Sequence, residues 1–304
     1  MKVVICDKME KSAIEEMKKL PVEVVDLSAL PKEELPAHLG DADIIIVRSA
    51  TKVKGPVLEA LKNCKLIIRG GVGLDNVDVE GANAKGIKVV NTPEAASASV
   101  AELALGFMFA LARHIVRGTV GIKNGLWEKK ELEGWELSGK TLGIIGYGRI
   151  GQELAKRASA LGMRVISYRR KDFEDEYAKK VDLDTLYKES DFISVHLPLT
   201  PETKNFISSE AFSKMKDGVF IINTARGGVI DEKALLEALK SGKVRGAALD
   251  VFEVEPPEDP LHNELIQHPN VICTPHIGAS TFEGQARVGM AVVEKIKEFL
   301  EGKI

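Results

Sequence analysis

The chain has 304 residues, a formal net charge of −3, and 44% hydrophobic against 29% charged residues. That length allows two domains with sizeable cores, and the composition excludes a disordered chain. The near-balanced charge gives no reason to expect nucleic acid or an anionic membrane surface as a partner.

Three cysteines, Cys6, Cys64 and Cys273, are widely spaced and form no CxxC pair. Neither a disulfide framework nor a metal site is indicated, and a reducing cytoplasm is the expected compartment. The apolar run at the N-terminus is too short for a leader. The longest apolar run, 103–112, is about half of what a membrane span needs and reads as a buried helix.

In chain order, strands are expected at 3–6, 22–25, 44–47, 66–69 and 88–90, with a helix at 12–20 stopped by Pro21. Their apolar runs are continuous rather than alternating, as in strands covered on both faces. A helical pattern around 99–117, and another after it, separate these strands from a second set at 141–145, 164–167, 192–196, 219–223, 246–249 and 271–274. Helices at 150–161, 231–241 and 282–300 accompany the second set. The alternation predicts an α/β protein of two doubly wound, Rossmann-like or flavodoxin-like domains with a cleft between them. Residues 97–279 would form the dinucleotide-binding domain. Residues 1–96 with 280–304 would form the substrate-binding domain, the last helix returning to the first sheet.

The strand at 141–145 runs directly into Gly146-Tyr-Gly-Arg-Ile-Gly151. This is the GxGxxG pattern in its required setting of strand, turn and helix. Gly146 permits the tight turn, Gly148 lets backbone approach a pyrophosphate, and Gly151 lets the helix pack close to the strand. In such units the next strand ends in an acid that takes the ribose hydroxyls of NAD. Here the position 18 residues after Gly151 is Arg169, followed by Arg170 and Lys171. A guanidinium cannot accept those hydrogen bonds but can pair with a 2′-phosphate. Arg169 therefore either admits NADP or stacks on the adenine or faces solvent while NAD binds through its pyrophosphate.

Three further stretches follow strands and so fall at the carboxyl edge of the sheet, where ligands bind in this architecture. They are NTARGGVID (223–231), LDVFEVEPP (249–257) and TPHIGA (274–279). Together with VRSATKV (47–53), RGGVGLDNVD (69–78) and VVNTPEAASASVAELALG (89–106), they resemble the D-isomer-specific 2-hydroxyacid dehydrogenase family over nearly the whole chain. The N-terminal half is most similar to the phosphoglycerate dehydrogenase branch. The resemblance implies an NAD- or NADP-dependent oxidoreductase. His276 would be the general base, Glu255 the acid that holds its imidazole and favours the charged form, and Arg226 the grip on the substrate carboxylate. It further implies cofactor contacts from Arg149 and Ile150 at the pyrophosphate, and from Leu197, Pro198 and Thr203 at the adenine side. Thr224, Ala225, Asp250, Gly278, Ala279 and Val100 would lie around the nicotinamide. His196 falls on the cofactor wall and is assigned no chemistry.

For the substrate, Arg48, Ser49, Arg69, Val72 and Gly73 come from strand ends of the first domain. Two arginines beyond Arg226 suit a second anion such as a phosphate, or else an interdomain ion pair. Lys129 is the expected phosphate contact from a neighbouring subunit, and the run 103–112 would contribute to a homodimer or larger homo-oligomer. The expected reaction is oxidation of 3-phospho-D-glycerate, the entry step to serine. A glyoxylate or hydroxypyruvate reductase using NADPH is the alternative, and a dinucleotide-sensing corepressor-like protein is the alternative of another class. The chain ends at Ile304, soon after its last helix, so no serine-binding regulatory domain is expected.

Overall fold

The computed structural model describes residues 1–258 and 260–304. Contacts divide the chain into two units, Met1–Ser97 with Ala279–Ile304, and Ala98–Gly278.

The first unit contains β1 (Lys2–Ile5), α1 (Lys11–Lys18), β2 (Glu23–Asp26), β3 (Ile44–Val47), α2 (Pro56–Ala60), β4 (Leu66–Arg69), α3 (Val79–Ala84) and β5 (Lys88–Asn91). Its five strands are all parallel, in the order β2-β1-β3-β4-β5. This is the flavodoxin-like doubly wound order. Ile44–Val47 is buried throughout because the pleat sends alternate residues to two covered faces. Ile45 and Val47 join Leu35, Leu58 and Ile67 on one side. Ile44 and Ile46 join Leu66 and Ile68 on the other.

The second unit begins with α4 (Ser97–Ala112) and α5 (Ile115–Lys123). The sequence pattern suggested one helix through residue 117. The chain instead breaks at His114, whose φ is 51°, and the two helices differ in direction by 63°. The break turns the apolar positions outward. Ala104, Phe107, Met108, Leu111 and Ala112 are buried, whereas Ile115, Val120 and Ile122 are exposed. Most of the run 103–112, expected at a subunit contact, is thus spent on the unit's own core. No single described helix is long and apolar enough to cross a membrane.

There follow β6 (Thr141–Ile145), α6 (Arg149–Ala160), β7 (Arg164–Tyr168), β8 (Lys179–Lys180), α7 (Leu183–Glu189), β9 (Phe192–Val195), α8 (Ser209–Lys214), β10 (Val219–Asn223), α9 (Glu232–Lys240), β11 (Val244–Leu249), α10 (Pro260–Gln267) and β12 (Val271–Cys273). The sheet order is β12-β11-β10-β9-β6-β7-β8, parallel in every pairing. The order reverses between β6 and β9, the topological switch point at which such sheets take ligands. Side chains of Asp182, Ser208 and Asp231 cap α7, α8 and α9. Each cap takes up a backbone N–H that the helix cannot satisfy itself.

The last helix, α11 (Phe282–Leu300), is capped by Thr281. Its Val292, Val293 and Ile296 pack with Val3, Ile5, Ile44 and Ile68 of the first sheet, and a Cβ on Gly289 would lie 2.5 Å from that of Ala13 in α1. The C-terminal helix therefore covers a sheet laid down by the first ninety residues.

Candidate active site

The glycine turn sits at the end of β6. Gly146 has φ 96°, and a Cβ there would stand 2.6 Å from the carbonyl oxygen of His196, so only glycine fits. A Cβ on Gly151 would fall 2.8 Å from Gly146 O, which explains the close approach of α6 to the turn. Gly148 is the N-cap of α6, has no side-chain cap, and nothing lies within 4 Å of the place its Cβ would occupy. Backbone N–H groups, the positive end of a twelve-residue helix and open space thus coincide, with Arg149 and Ile150 in the first turn. A dinucleotide pyrophosphate fits this arrangement.

Around the turn, Leu197 Cδ2 is 3.1 Å from the Cβ position of Gly146. Arg169 follows β7, and its Nη1 lies 3.3 Å from Tyr147 O, so the guanidinium leans back over the turn. Thr203 is buried in the loop after β9. Its hydroxyl donates to Pro198 O at 2.6 Å and accepts from Thr200 N at 2.7 Å, pinning the loop after β9. His196 keeps Ser194 Oγ at 2.9 Å from its Nε2, its Nδ1 has no partner, and burial pushes its pKa down to about 4.

At the end of β10, Asn223 bridges the following turn. Its Oδ1 accepts from Ala225 N at 3.1 Å and its Nδ2 donates to Arg226 O at 3.0 Å. Thr224 Oγ1 is buried with no partner, an orphan hydroxyl beside the turn that a polar ligand would satisfy. The Arg226 side chain donates from Nη1 to Ala225 O at 2.7 Å.

His276 and Glu255, far apart in sequence, meet with Nδ1 2.8 Å from Oε2. Glu255 Oε1 accepts from Phe252 N at 3.1 Å. Burial pushes the Glu255 carboxyl up, but hydrogen bonding to His276, the His276 charge, the Phe252 N–H and the Arg226 charge together hold it below its usual range. The dyad borders a cavity of about 520 Å³ that also touches Asp250, Phe252, Cys273 and Thr274.

Asp250, assigned from the sequence to the nicotinamide, is 1% exposed and already heavily engaged. It accepts from Thr274 Oγ1 at 2.6 Å, Ile277 N at 2.7 Å and Gly278 N at 2.8 Å, and its own carbonyl takes His276 N at 2.9 Å. It is the anchor of the turn that carries His276, a role that spacing alone did not reveal. Val100 is buried beside Gly278, its Cγ2 3.4 Å from that residue's Cβ position. Ala279 falls in the first unit, where its carbonyl accepts from Gln285 Nε2 at 2.8 Å.

In the first unit, Arg48 and Ser49 follow β3 and line a cavity of about 420 Å³ with Asp7, Lys8, Ser280, Thr281 and Gln285. The half-buried Arg48 side chain makes no hydrogen bond or ion pair among the described residues, and its Nε is buried without a partner. Arg69 ends β4 and folds across Gly71, where a Cβ would be 1.6 Å from Arg69 Nη1 and φ is 145°. Val72 is exposed, its carbonyl accepting from Asn91 Nδ2 at 2.5 Å, and Gly73 follows it in the loop. Lys129 belongs to the second unit, on a surface pocket with Trp127, Glu128 and Leu132. Among the described residues no group of three or more His, Cys, Asp or Glu could hold a metal.

Residues 105–278 match the NAD-binding domain of the D-isomer specific 2-hydroxyacid dehydrogenases. The chain is 56% identical to the hydroxypyruvate reductase of Thermotoga maritima, over 97% of both chains. It is 48% identical to the D-3-phosphoglycerate dehydrogenase of Methanocaldococcus jannaschii, over its full length but only 58% of that relative. Among solved structures, the D-lactate dehydrogenase of Aquifex aeolicus, complexed with NAD and lactic acid, superposes with a TM-score of 0.84 at 34% identity, covering 99% of this chain and 96% of that one. With the parallel sheets, the glycine turn and the His–Glu pair in place, these similarities establish that the chain belongs to the D-isomer-specific 2-hydroxyacid dehydrogenases, NAD-dependent oxidoreductases acting on CH–OH donors.

Proposed function

We propose that the chain interconverts 3-phospho-D-glycerate and 3-phosphohydroxypyruvate. The observation that carries this reading is Arg48, a half-buried guanidinium whose Nε has no hydrogen-bond partner and whose facing carboxylate, Asp7, is already ion-paired with Lys32. Burying an unpaired cation is costly unless a ligand anion answers it, and a phosphate does so with bidentate geometry. A plain 2-hydroxy acid has one anionic group, which Arg226 takes.

In this reading Arg226 holds the substrate carboxylate and draws density from the oxygen on C2. Glu255 faces His276 Nδ1, so that nitrogen carries the ring proton and Nε2 is the base that accepts the hydroxyl proton. When bound, the nicotinamide supplies the acceptor for the hydride leaving C2. In the reverse direction protonated His276 returns its Nε2 proton to the carbonyl oxygen. Arg169, standing where an acid would take the ribose hydroxyls, extends the cofactor range to NADP. Self-association is assigned to the apolar surface of α5 and Trp127.

One observation favours a second reading, reduction of unphosphorylated hydroxypyruvate: the Thermotoga maritima relative so named matches over 97% of its own length. Steady-state kinetics on hydroxypyruvate and 3-phosphohydroxypyruvate, each with NADH and NADPH, separates the two. The proposal requires a higher kcat/KM for the phosphorylated substrate, and an Arg48→Ala loss confined to it. Preference for hydroxypyruvate with an indifferent Arg48→Ala overturns it.

A further inference from the structure

The loop that carries Arg48 and Ser49 is gripped from both sides by two residues that have no assigned role. On one side lies Asp7, 3% exposed, just beyond the end of β1. Its Oδ2 accepts from Arg48 N at 2.6 Å and Thr51 N at 3.1 Å, and its Oδ1 accepts from Thr51 Oγ1 at 2.7 Å. On the other side lies Asn76, in the loop after β4. Its Nδ2 donates to Arg48 O at 2.6 Å and Thr51 O at 2.7 Å. The same two residues, 48 and 51, thus give their N–H groups to a carboxylate and receive hydrogen bonds at their carbonyls from an amide. Lys32 Nζ, 2.9 Å from Asp7 Oδ1, answers the carboxylate's charge. The segment is zipped further by Val53 N to Asn76 O at 2.8 Å and Asp78 N to Val53 O at 3.0 Å.

We propose that Asp7 and Asn76 are positioning residues that clamp the 48–51 loop and so aim the Arg48 guanidinium at the substrate's second anionic group. The Arg48 Nε has no hydrogen-bond partner, so no side-chain hydrogen bond at that nitrogen positions the guanidinium and the backbone fixes the point from which it reaches. A backbone fixed at both N–H and C=O leaves only the side-chain torsions free, which lowers the entropy lost when an anion binds. The chemistry explains the residue types. One carboxylate can accept several N–H groups at once, and one amide NH2 can serve two carbonyls. A hydrophobic residue at either position, a cation at position 7 or an anion at position 76 would leave buried backbone groups unsatisfied. The inference rests on the reading of Arg48 as a substrate contact.

The test is a mutant cycle read as KM and kcat for the reduction of 3-phosphohydroxypyruvate by NADH. Asn76→Ala removes both amide donors, and Asp7→Asn keeps the shape while replacing an acceptor by a donor. Each is expected to raise the substrate KM by roughly tenfold or more, with kcat within about threefold and the NADH KM unchanged. In an Arg48→Ala background, Asn76→Ala is expected to add less than about twofold, because a residue that acts through Arg48 has nothing left to aim. Should Asn76→Ala fail to fold, Asp7→Asn in the two backgrounds makes the same comparison. If Arg48→Ala raises KM but the clamp variants do not, or their effects add in full to it, the clamp is wrong and the Arg48 reading stands. If Arg48→Ala leaves KM unchanged, the reading and the clamp fall together.

Discussion

Glu255 Oε2 stands 2.8 Å from His276 Nδ1, so the carboxylate addresses one ring nitrogen and leaves Nε2 to meet the substrate. Replacing His276 by Asn is expected to lower kcat by about 10²–10⁴, the usual worth of a positioned acid–base group. Glu255→Gln removes the charge that favours the imidazolium and keeps a group of the same size. Its kcat should fall by part of that factor, most of all in the direction of reduction, where His276 starts protonated. Glu255 also gives a sign for the acid limb. Its folded-state carboxyl lies below the ordinary 4.5, so its contribution is complete above that value and is lost as pH falls through the depressed one. Unchanged activity in either variant, read at the nicotinamide absorbance band, would remove the dyad from the mechanism.

His196 titrates with the same sign for a different reason. Burial pushes it down to about 4, while an unfolded chain protonates near the ordinary 6.5. Between those values the unfolded state binds more protons, so stability falls as pH drops from about 6.5 towards about 4, by on the order of 1–3 kcal/mol. Urea unfolding at pH 7 and pH 5 should show the loss in the parent protein. His196→Asn should flatten the pH dependence, and an equal slope in both proteins would mean that His196 is not the group responsible.

Arg169 leans over the glycine turn, where a 2′-phosphate would meet it and a ribose hydroxyl would find no acceptor. Arg169→Asp is expected to lower the NADP-to-NAD ratio of kcat/KM by at least about tenfold, equivalent to ~1.4 kcal/mol. Turnover with both cofactors measures it. A ratio left as it was would mean that the side chain does not read this part of the dinucleotide.

The α5 surface is apolar where a monomer surface need not be. Trp127 is 81% exposed, and Ile115, Val120, Ile122 and Leu126 are each more than half exposed. A second copy covering this face would remove these apolar side chains from water. Sedimentation of the parent protein should give at least a dimer, and Ile122→Glu with Trp127→Glu should shift it to the monomer with the fold intact. A monomeric parent would end this idea.

The sheets were legible from their residues because buried parallel strands are continuous apolar runs. Ile44–Val47, Leu66–Arg69, Thr141–Ile145 and Val219–Asn223 have the bounds expected from their apolar runs. The kink at His114 was not, since nothing in the sequence marks a histidine that takes a left-handed backbone. Short elements such as α8 and β8 carry too few residues to show a period. At the site, the glycines announce themselves by spacing, while the acid–base residues follow from the family resemblance. The residues that hold them do not. Asp250, Asn223, Asp7 and Asn76 work through hydrogen bonds to backbone groups that are distant in sequence or ordinary in type, and such partners become visible only in three dimensions.

The turn around His276 has a practical consequence. His276 adopts φ 54°, and its amide is held by Asp250 O and Thr274 O, while the next two amides go to the Asp250 carboxylate. None of these bonds uses the imidazole, and asparagine tolerates this backbone conformation well. The scaffold of the turn therefore survives loss of its own reactive group. His276→Asn should be a slow protein that still folds and still takes up cofactor and hydroxy acid together, a form in which the ternary complex lasts long enough to be captured.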